Sequence, residues 1–218
     1  MPAKSALEAR RLRVPKQLES LAKGTATRAR GRARVEAILQ AAYELLGSAD
    51  FSEFSMRSVA ARAGVDLKNV QYYFSTKKDL VRALLECLGY GHEEDLASSE
   101  DDGVDPVERL RRHLRQWLDD NLRPEIRRLN IHSWVIFDSS FEYSGEGMVQ
   151  FYQRFLVRIE ARIKDIDPTL KLAEVRVRAR LVASLLEGAM LTFCDLKGKN
   201  LSNAKERVLA TALALAAG

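Results

Sequence analysis

The stretch from Ser55 to Leu80, SMRSVAARAGVDLKNVQYYFSTKKDL, constrains the fold of this chain more than any other part of it. Its spacing predicts two short helices joined by a tight turn. Ser55 suits the N-cap of the first helix, because its hydroxyl can accept a hydrogen bond from a free backbone N–H group. Gly64 takes a left-handed backbone at little cost, which ends that helix, and Asp66 can cap the next one. The apolar face of the first helix consists of Met56, Val59, Ala60 and Ala63.

The second helix has one apolar side and one polar and aromatic side. At about 100° per residue, Leu67, Val70 and Phe74 fall together, as a face packed on the first helix would. The opposite side holds Lys68, Asn69 and Tyr72, with Gln71 and Tyr73 on the flanks. Base edges in the major groove require such donors and acceptors, and Lys77 and Lys78 follow where phosphates would lie. The arrangement predicts a DNA-binding helix-turn-helix; the alternative is a helical hairpin whose polar face is merely solvated.

The run VAARAGVDLKNVQYYFSTKKDL resembles the N-terminal DNA-binding domain of the TetR family of bacterial transcriptional regulators. The family pattern is roughly I-A-x-x-A-G-V-S-x-G-x-L-Y-x-H/Y-F-x-S/N-K-x-x-L. The residues that fill it here are Val59, Ala60, Ala63, Gly64, Val65, Val70, Tyr73, Phe74, Thr76, Lys77 and Leu80. The upstream run ILQAAYELLGSADFSEFS resembles the family's first helix and following loop, so the match covers about residues 34 to 88. Asp66, Lys68 and Gln71 depart from the pattern, which is expected to change sequence preference and not the fold.

The reading face and the resemblance together give a set of expected DNA contacts. The residues expected nearest the bases are Lys68, Asn69, Gln71 and Tyr72. The resemblance implies phosphate contacts for Tyr73 and Lys77, which match the family's aromatic residue and lysine. Ser55 and Arg57, at the start of the preceding helix, are further candidates for contact with phosphates or base edges. The resemblance also implies a cytoplasmic homodimer that binds a palindromic operator in double-stranded DNA and represses transcription until a small apolar effector binds.

The charge of the chain is concentrated near its N-terminus. The net charge is +5, but residues 1–34 carry ten Lys and Arg against two Glu, which leaves −3 for the remainder. A basic end on a mildly acidic body indicates nucleic-acid binding. We therefore interpret residues 1–30 as a basic, mobile extension that adds phosphate contacts or reaches the minor groove; a solvated tail is the alternative.

Helical patterns and the placement of proline predict an all-α protein. Four of the five prolines stand before or between helical patterns, and the fifth is Pro2. After the extension we expect a helix-turn-helix domain, residues 31–88, and a helical ligand-binding and dimerisation domain, residues 89–218. The first domain helix, residues 32–47, carries an apolar stripe made of Val35, Ile38, Leu39, Ala42, Leu45 and Leu46. The other long helices are predicted at residues 106–122, 125–141, 148–166, 170–195 and 202–216.

The end of the first domain is predicted from glycine and acidic residues. A helix that begins at Lys77 is expected to stop at Leu88, before Gly89 and Gly91, and the acidic stretch HEEDLASSEDDGVD is expected to be a loop. Asp105, followed by proline, then marks the start of the next helix.

The last two helices indicate a homodimer. The first of them is apolar over more than one face, and a helix that is apolar on two sides must bury both. The resemblance implies that these two helices pair with those of a second subunit in a four-helix interface. The small residues expected to permit this approach are Ala183, Gly188, Ala189, Ala210 and Ala214. Two-fold symmetry then implies an inverted-repeat operator.

Large aromatic residues accumulate in the middle of the second domain. The candidate ligand-binding residues are Trp117, Trp134, Phe137, Phe151, Tyr152, Phe155 and Phe193. An apolar cavity with a few polar groups is the usual form of a small-molecule site, although an ordinary packed core is the alternative for each residue. His113 and His132 lie on the helices that carry the two tryptophans and are expected to be surface or core residues. The resemblance implies an effector pocket in this domain.

Other classes of protein find little support in the sequence. The chain has no Gly-rich phosphate loop, no nucleophile elbow and no metal-ligand spacing among its three His and two Cys, so we expect no enzyme, metal or cofactor. Because the N-terminal residues are polar and basic, we expect no signal peptide, and no apolar run reaches the roughly 18 residues that a membrane span needs. Cys87 and Cys194 are expected to be buried free thiols. A ligand-independent regulator, or an architectural DNA-binding protein that uses its second domain only for dimerisation, remains an alternative.

Overall fold

The computed structural model describes residues 12, 14, 18, 29–48, 51–97, 103–138 and 146–218, with the backbone alone at residues 29, 51, 89–97, 137–138 and 146–151. Within those residues there are nine α-helices and no β-strand. They are Ala29–Leu46 (α1), Met56–Ala63 (α2), Leu67–Tyr73 (α3), Lys77–Ala97 (α4), Pro106–Asn121 (α5), Pro124–Asp138 (α6), Glu146–Ile166 (α7), Leu172–Thr192 (α8) and Gly198–Ala217 (α9). A short 3₁₀ turn, Phe51–Glu53, separates α1 from α2. The predicted all-α fold class is confirmed.

The chain forms two compact units. The first, which we call the head unit, contains Met1–Ala97 and Arg128–Phe151; the second, the body unit, contains Ser98–Arg127 and Tyr152–Gly218. Helices α1 to α4 therefore share the head unit with most of α6, while α5, α8, α9 and most of α7 belong to the body unit. The domain limits at residues 30 and 88 stay a prediction.

The head unit is built on the apolar face of α1. Ile38, Leu39 and Leu46 are completely buried there, because their spacing puts them on one side of the helix. Helices α2 and α4 both contact α1, and Leu80 and Leu84 of α4 are also completely buried. Burying a leucine or isoleucine side chain contributes about 1.5–3 kcal/mol. The predicted apolar stripe is therefore the core on which the helix-turn-helix rests.

Helix α2 begins and ends as the sequence predicted. The hydroxyl of Ser55 accepts a hydrogen bond from the backbone N–H of Ser58 at 3.1 Å, and the Ser58 hydroxyl accepts from the Ser55 N–H at 2.9 Å. This reciprocal pair satisfies two N–H groups that the helix leaves without partners. At the other end, Gly64 has φ 65° and ψ 33°, and the N–H of Val65 donates to the carbonyl of Ala60 at 3.0 Å. The left-handed glycine is therefore what turns the chain towards α3.

Helix α4 is longer than predicted. It runs from Lys77 to Ala97, so the predicted end at Leu88 is wrong, and residues 92–97 of the expected acidic loop are helical. Both Gly89 and Gly91 have a helical backbone. Glycine in a helix interior costs only about 1 kcal/mol relative to alanine, which the continuing backbone hydrogen bonds can offset. A glycine ends a helix by taking a positive φ, and neither of these does.

Helix α6 supplies two side chains to the C-terminal end of α1. Arg128 Nε donates to the carbonyl oxygen of Gly47 at 3.1 Å, and His132 Nδ1 donates to that of Leu46 at 2.7 Å. The last carbonyl groups of a helix have no donor within the helix itself. These two side chains therefore act as a C-cap for α1, and His132 has a structural role in the head unit.

The described part of the N-terminal extension touches α1. The backbone N–H of Leu12 donates to Gln40 Oε1 at 2.8 Å, and Leu18 is only 3% exposed. At these two positions the extension lies against folded residues. The remaining positions of residues 1–28 lie outside the described residues, apart from Val14.

In the body unit, α9 lies against both α5 and α8. The guanidinium of Arg115 on α5 makes a two-pronged ion pair with Glu206 on α9, at 2.6 and 3.0 Å, and Lys205 bonds to Asp119 one turn further along α5. Exposed pairs of this kind add little to stability, because water and salt screen them. They set the register of α9 on α5, while the apolar side chains beneath them supply the stability. The completely buried residues here include Leu110, Leu114, Leu118, Val182, Leu186 and Leu209.

The start of α5 confirms the sequence prediction. The carboxylate of Asp105 accepts a hydrogen bond from the Glu108 N–H at 3.1 Å, and Pro106 is the first residue of the helix. Both features suit a helix N-terminus.

Helix α8 is apolar on two sides, as predicted. One side is buried in the body unit, and the other leaves Val177 53%, Leu181 48% and Leu191 45% exposed. Ala183 and Ala189, expected on the outer side, are only 7% and 4% exposed. That part of the prediction is wrong, because their helical phase places them with the body's own core.

The two cysteines have different surroundings. Cys87 is buried and Cys194 is exposed, and both are free thiols. The prediction of a buried thiol is therefore wrong for Cys194, which follows the end of α8 at Thr192. Burial raises the pKa of Cys87 to about 12, so its unreactive thiol form dominates at neutral pH.

Each helix within the described ranges is either too short or too polar to cross a membrane.

We expect Gly64→Ala to lower the stability of the head by about 1–2 kcal/mol, because an alanine resists the left-handed backbone. No atom lies within 4 Å of the position that a Cβ would occupy, so a steric clash would not contribute. Gly64→Asn is the matched control, since asparagine tolerates this conformation better and should lose less. Denaturation midpoints at equal protein concentration would measure both effects. An alanine variant as stable as wild type would contradict the role assigned to Gly64.

Candidate nucleic-acid interface

Helix α3 separates a buried side from an exposed one. Val70 is completely buried and Phe74, at its C-cap, is 1% exposed, so the apolar side faces the rest of the head unit. Leu67, predicted on the same side, is half-buried. The other side is accessible: Lys68, Gln71 and Tyr72 are exposed, and Asn69 is half-buried. The four residues predicted to lie nearest the bases therefore share one short helix and retain accessible surface.

Asp66 does not cap α3 with its side chain. It occupies the N-cap position, but its carboxylate makes no capping hydrogen bond, so that prediction is wrong. Its backbone carbonyl accepts from the N–H groups of Asn69 and Val70, at 2.9 and 3.3 Å, and this begins the helix without the side chain. The exposed carboxylate still lies at the positive end of the helix dipole.

The two adjacent tyrosines of α3 differ sharply in exposure. Tyr72 is 53% exposed, whereas Tyr73 is 4% exposed. Their rings make an edge-to-face contact, with centroids 5.1 Å apart and an angle of 82° between planes. Such contacts are favourable and hold both rings in place. Tyr73 thus forms part of the support for Tyr72, and a phosphate contact by its hydroxyl stays a prediction.

Lys77 begins α4 and lies beside an aromatic ring. Its Nζ is 4.8 Å from the centroid of the Phe54 ring, close enough for a cation–π contact. Phe54 is 3% exposed and therefore belongs to the core of the head unit. Partial burial lowers the pKa of Lys77. An ammonium group that is already positioned and partly desolvated is well suited to bind a single phosphate oxygen, because it loses less conformational entropy and less hydration on binding.

A second reciprocal cap fixes the start of α4, and the sequence analysis missed it. The backbone N–H of Thr76 donates to Asp79 Oδ2, and that of Asp79 donates to Thr76 Oγ1, both at 3.1 Å. A threonine followed three residues later by an acidic residue was the available signal. The cap sets the direction in which Lys77 leaves the helix start.

The other predicted contacts lie at the start of α2. Ser55 and Arg57 are both exposed, but the Ser55 hydroxyl already takes part in the cap of α2. Further along, Arg62 Nε pairs with Glu44 of α1 at 2.7 Å, which ties α2 to α1. Of these two candidates, Arg57 is therefore better able to contact DNA, because its side chain takes no part in the cap.

Exposed basic side chains also occur at the start of α1. Arg30, Arg32 and Arg34 are all exposed there. Sequence reasoning counted them only in the total charge of residues 1–34. They are further candidates for phosphate contact, since arginine binds phosphate oxygens with two donors.

The candidate ligand residues divide between the two units. Trp117, Tyr152, Phe155 and Phe193 belong to the body unit, and Trp134, half-buried, belongs to the head unit. The side chains of Phe137 and Phe151 lie outside the described residues. In the body unit the structure brings two candidates together: the rings of Trp117 and Phe155 stack, with centroids 5.6 Å apart and planes at 24°.

Glu187 on α8 was not among the predicted site residues. Its carboxylate accepts a hydrogen bond from the Tyr152 hydroxyl, and burial raises its pKa to about 7. No sequence signal distinguished this residue, because one glutamate in an amphipathic helix is ordinary. The described residues hold no group of three or more His, Cys, Asp or Glu that could bind a metal ion.

Residues 38–84, from α1 into α4, match the model for bacterial regulatory proteins of the tetR family. Over 167 residues the chain is 30% identical to an uncharacterized HTH-type transcriptional regulator in the dhlA 5′ region of Xanthobacter autotrophicus; the match covers 73% of this chain and 79% of that protein. The segment that matches the family model, residues 38–84, contains the whole helix-turn-helix described above.

Two solved structures show the same fold. A candidate transcriptional regulator from Pseudomonas aeruginosa PAO1 has a TM-score of 0.71 at 16% identity, over 89% of this chain and 95% of that one. SmeT, the repressor of the Stenotrophomonas maltophilia multidrug efflux pump SmeDEF, has a TM-score of 0.59 at 21% identity, over 83% and 88%. With the family match, the sequence relative and the helix-turn-helix geometry in agreement, this chain belongs to the TetR family of DNA-binding transcriptional regulators.

Proposed function

We propose that this regulator is a homodimeric repressor, which binds an inverted-repeat operator through α3 of each subunit and is released by a small apolar ligand. The observation that carries the DNA-binding part is the accessible side of α3, with Lys68, Asn69, Gln71 and Tyr72. These side chains can donate to and accept from base edges, which is how a helix in the major groove reads sequence. Tyr73 and Lys77 are assigned to phosphates beside that groove, and Ser55 and Arg57 to phosphates or base edges.

The proposed dimer uses the outer side of α8. Val177, Leu181 and Leu191 stand about one or more turns apart on that side, with Ser184 and the half-buried Gly188 between them. An apolar stripe that a single chain leaves exposed is a common feature of a subunit interface. A two-fold interface would place two copies of this stripe against each other, with α9 alongside. The resulting pair of reading helices suits a palindromic operator.

The proposed ligand response is a shift between two states of the dimer. A ligand that binds more tightly to the state with wrongly spaced reading helices lowers the affinity for the operator. A difference of 1.4 kcal/mol changes that affinity about tenfold, so modest selectivity is sufficient. The repressor SmeT, which shares the fold, supports repression as the direction of control. The stacked aromatic residues of the body unit support it as the place for an apolar ligand.

A ligand-independent regulator is the second candidate. The body unit would then serve only to hold two heads at the operator spacing. The two proposals differ in one measurement, because only the first requires a small molecule that weakens binding of the intact dimer to its operator. Fluorescence anisotropy with DNA from upstream of the protein's own gene is the starting assay.

We expect Lys77→Ala to weaken binding to every DNA sequence alike. A single lost phosphate contact should flatten the dependence of log affinity on log salt by about one. Anisotropy titrations at several salt concentrations measure this slope. Lys199→Ala, which removes an exposed lysine of α9, is the control and should leave it unchanged. An unaltered slope in the Lys77 variant would remove it from the phosphate contacts.

We expect Lys68→Ala and Asn69→Ala to relax sequence preference. Each should reduce the penalty for a changed base pair at a particular operator position, where a good base contact is worth about 1–3 kcal/mol. Affinities for a set of single-base operator variants test this directly. Equal losses on all variants would show that the side chain contacts only the backbone of the DNA.

We expect Leu181→Glu to convert the dimer to monomers, because it would bury a charge in the apolar interface. Leu172→Glu is the matched control: Leu172 is 52% exposed on the same helix but lies roughly 100° or more around it from the stripe. Sedimentation velocity distinguishes the two species. A Leu181 variant that stays dimeric would place the interface elsewhere.

A further inference from the structure

Glu187 has one carboxylate oxygen with a partner and one without. The Tyr152 hydroxyl donates to the carboxylate, while Oε2 is buried and has no hydrogen-bond partner. The residue as a whole is half-buried. A buried acceptor that has lost its water without gaining a donor is unfavourable, and more so when it is charged. The body unit therefore carries an acceptor that a further donor would stabilise.

The two arginines of α8 that are nearest to Glu187 in sequence bond to other groups. Arg178 pairs with Glu174 at 2.7 Å and donates to the carbonyl of Ala216 at 3.2 Å, and Arg180 donates to the carbonyl of Arg176 at 3.1 Å. Among the described residues, Glu187 takes part in no ion pair. The rise of its pKa to about 7 has burial as its cause, which the Tyr152 hydrogen bond only partly opposes. No described residue of the body unit therefore supplies a charge that compensates this carboxylate.

A series of aromatic side chains begins at Tyr152, whose hydroxyl donates to this carboxylate. Tyr152 and Phe155 stand three residues apart on α7, so they lie on the same face of that helix. Phe155 in turn stacks on Trp117 of α5. We call these four residues, Trp117, Tyr152, Phe155 and Glu187, the Glu187 cluster. Tyr152, Phe155 and Glu187 are all half-buried, so each retains some accessible surface.

We propose that the Glu187 cluster binds the positively charged nitrogen of an aromatic or lipophilic amine. The inference rests on the proposed function and deepens it, since it names the chemical class of the effector. The ammonium group would donate to Oε2 of Glu187, and the apolar part would lie against the rings of Phe155 and Trp117. A cation gains from the carboxylate and from the ring faces together. A neutral alcohol gains only a weaker hydrogen bond, and an anion is repelled.

Two nearly isosteric probes test the charge of the ligand: 1-naphthylmethylamine and 1-naphthalenemethanol, titrated into the intact protein by calorimetry at pH 8. The wild type should bind the amine at least about tenfold more tightly than the alcohol, because hydrogen bonds to charged groups are worth that much. Glu187→Gln should bring the two affinities close together and leave that for the alcohol almost unchanged. Glu187→Asp keeps the charge and should keep the preference.

Glu174→Gln is the matched control. Glu174 lies on the same helix, is exposed and pairs with Arg178, so its neutralisation should not alter the preference for the amine. Circular dichroism and operator binding show whether each variant is folded. Equal binding of both probes to the wild type, no amine binding at all, or a preference that persists in the glutamine variant would each overturn the proposal.

Operator release separates this proposal from the proposed function. Amine binding that depends on Glu187 but leaves operator affinity unchanged would support the cation site and contradict its role as an effector site. Release of the operator by some other ligand, with no amine preference, would support the regulator and overturn the site.

Discussion

Helix α3, the proposed DNA-reading helix, is stable only because it packs against neighbouring helices. Helix α3 is seven residues long, and isolated helices shorter than about 12 residues are marginal in water. The burial of Val70 and Phe74 against the head therefore holds the helix in place and decides which side remains for DNA. The turn at Gly64 sets the direction of approach, and α1 supplies the core beneath it. The proposed readout of DNA sequence thus depends on apolar contacts that do not themselves touch DNA.

The two units place their charges in different ways. At the edge of the body unit, Arg115 with Glu206 and Lys205 with Asp119 are exposed pairs that align α5 and α9 at little energetic gain. Glu187 is the opposite case, because one of its carboxylate oxygens is buried without a hydrogen-bond partner and no described residue forms an ion pair with it. Groups with perturbed protonation in such surroundings occur often at functional sites. The unpartnered oxygen of Glu187 therefore says more about a functional site than the exposed ion pairs of the body unit do.

Local features of this fold were predictable from the sequence, and tertiary features were not. The cap at Ser55, the turn at Gly64 and the start of α5 at Asp105 follow from the conformational preferences of single residues. The predicted end of α4 was wrong because glycine only weakens a helix. The predicted side-chain cap at Asp66 was wrong because a residue at the N-cap position can begin a helix with its backbone alone. The exposed face of α3 followed from helical periodicity. Glu187 was missed because periodicity describes one helix, whereas the surroundings of that carboxylate also include Tyr152 of α7.

The C-cap that α6 gives to α1 affects the order in which the head can be completed. Arg128 and His132 lie 81 and 86 residues along the chain from the carbonyls that they satisfy. During synthesis, α1 to α4 are made before these donors are added, so the newly made head lacks the two side chains that cap the end of α1. The helix-turn-helix is therefore synthesised before the last side chains that stabilise the head unit. A head cut after Ala97 would contain every proposed DNA contact on α2 to α4 and still lack part of its own framework.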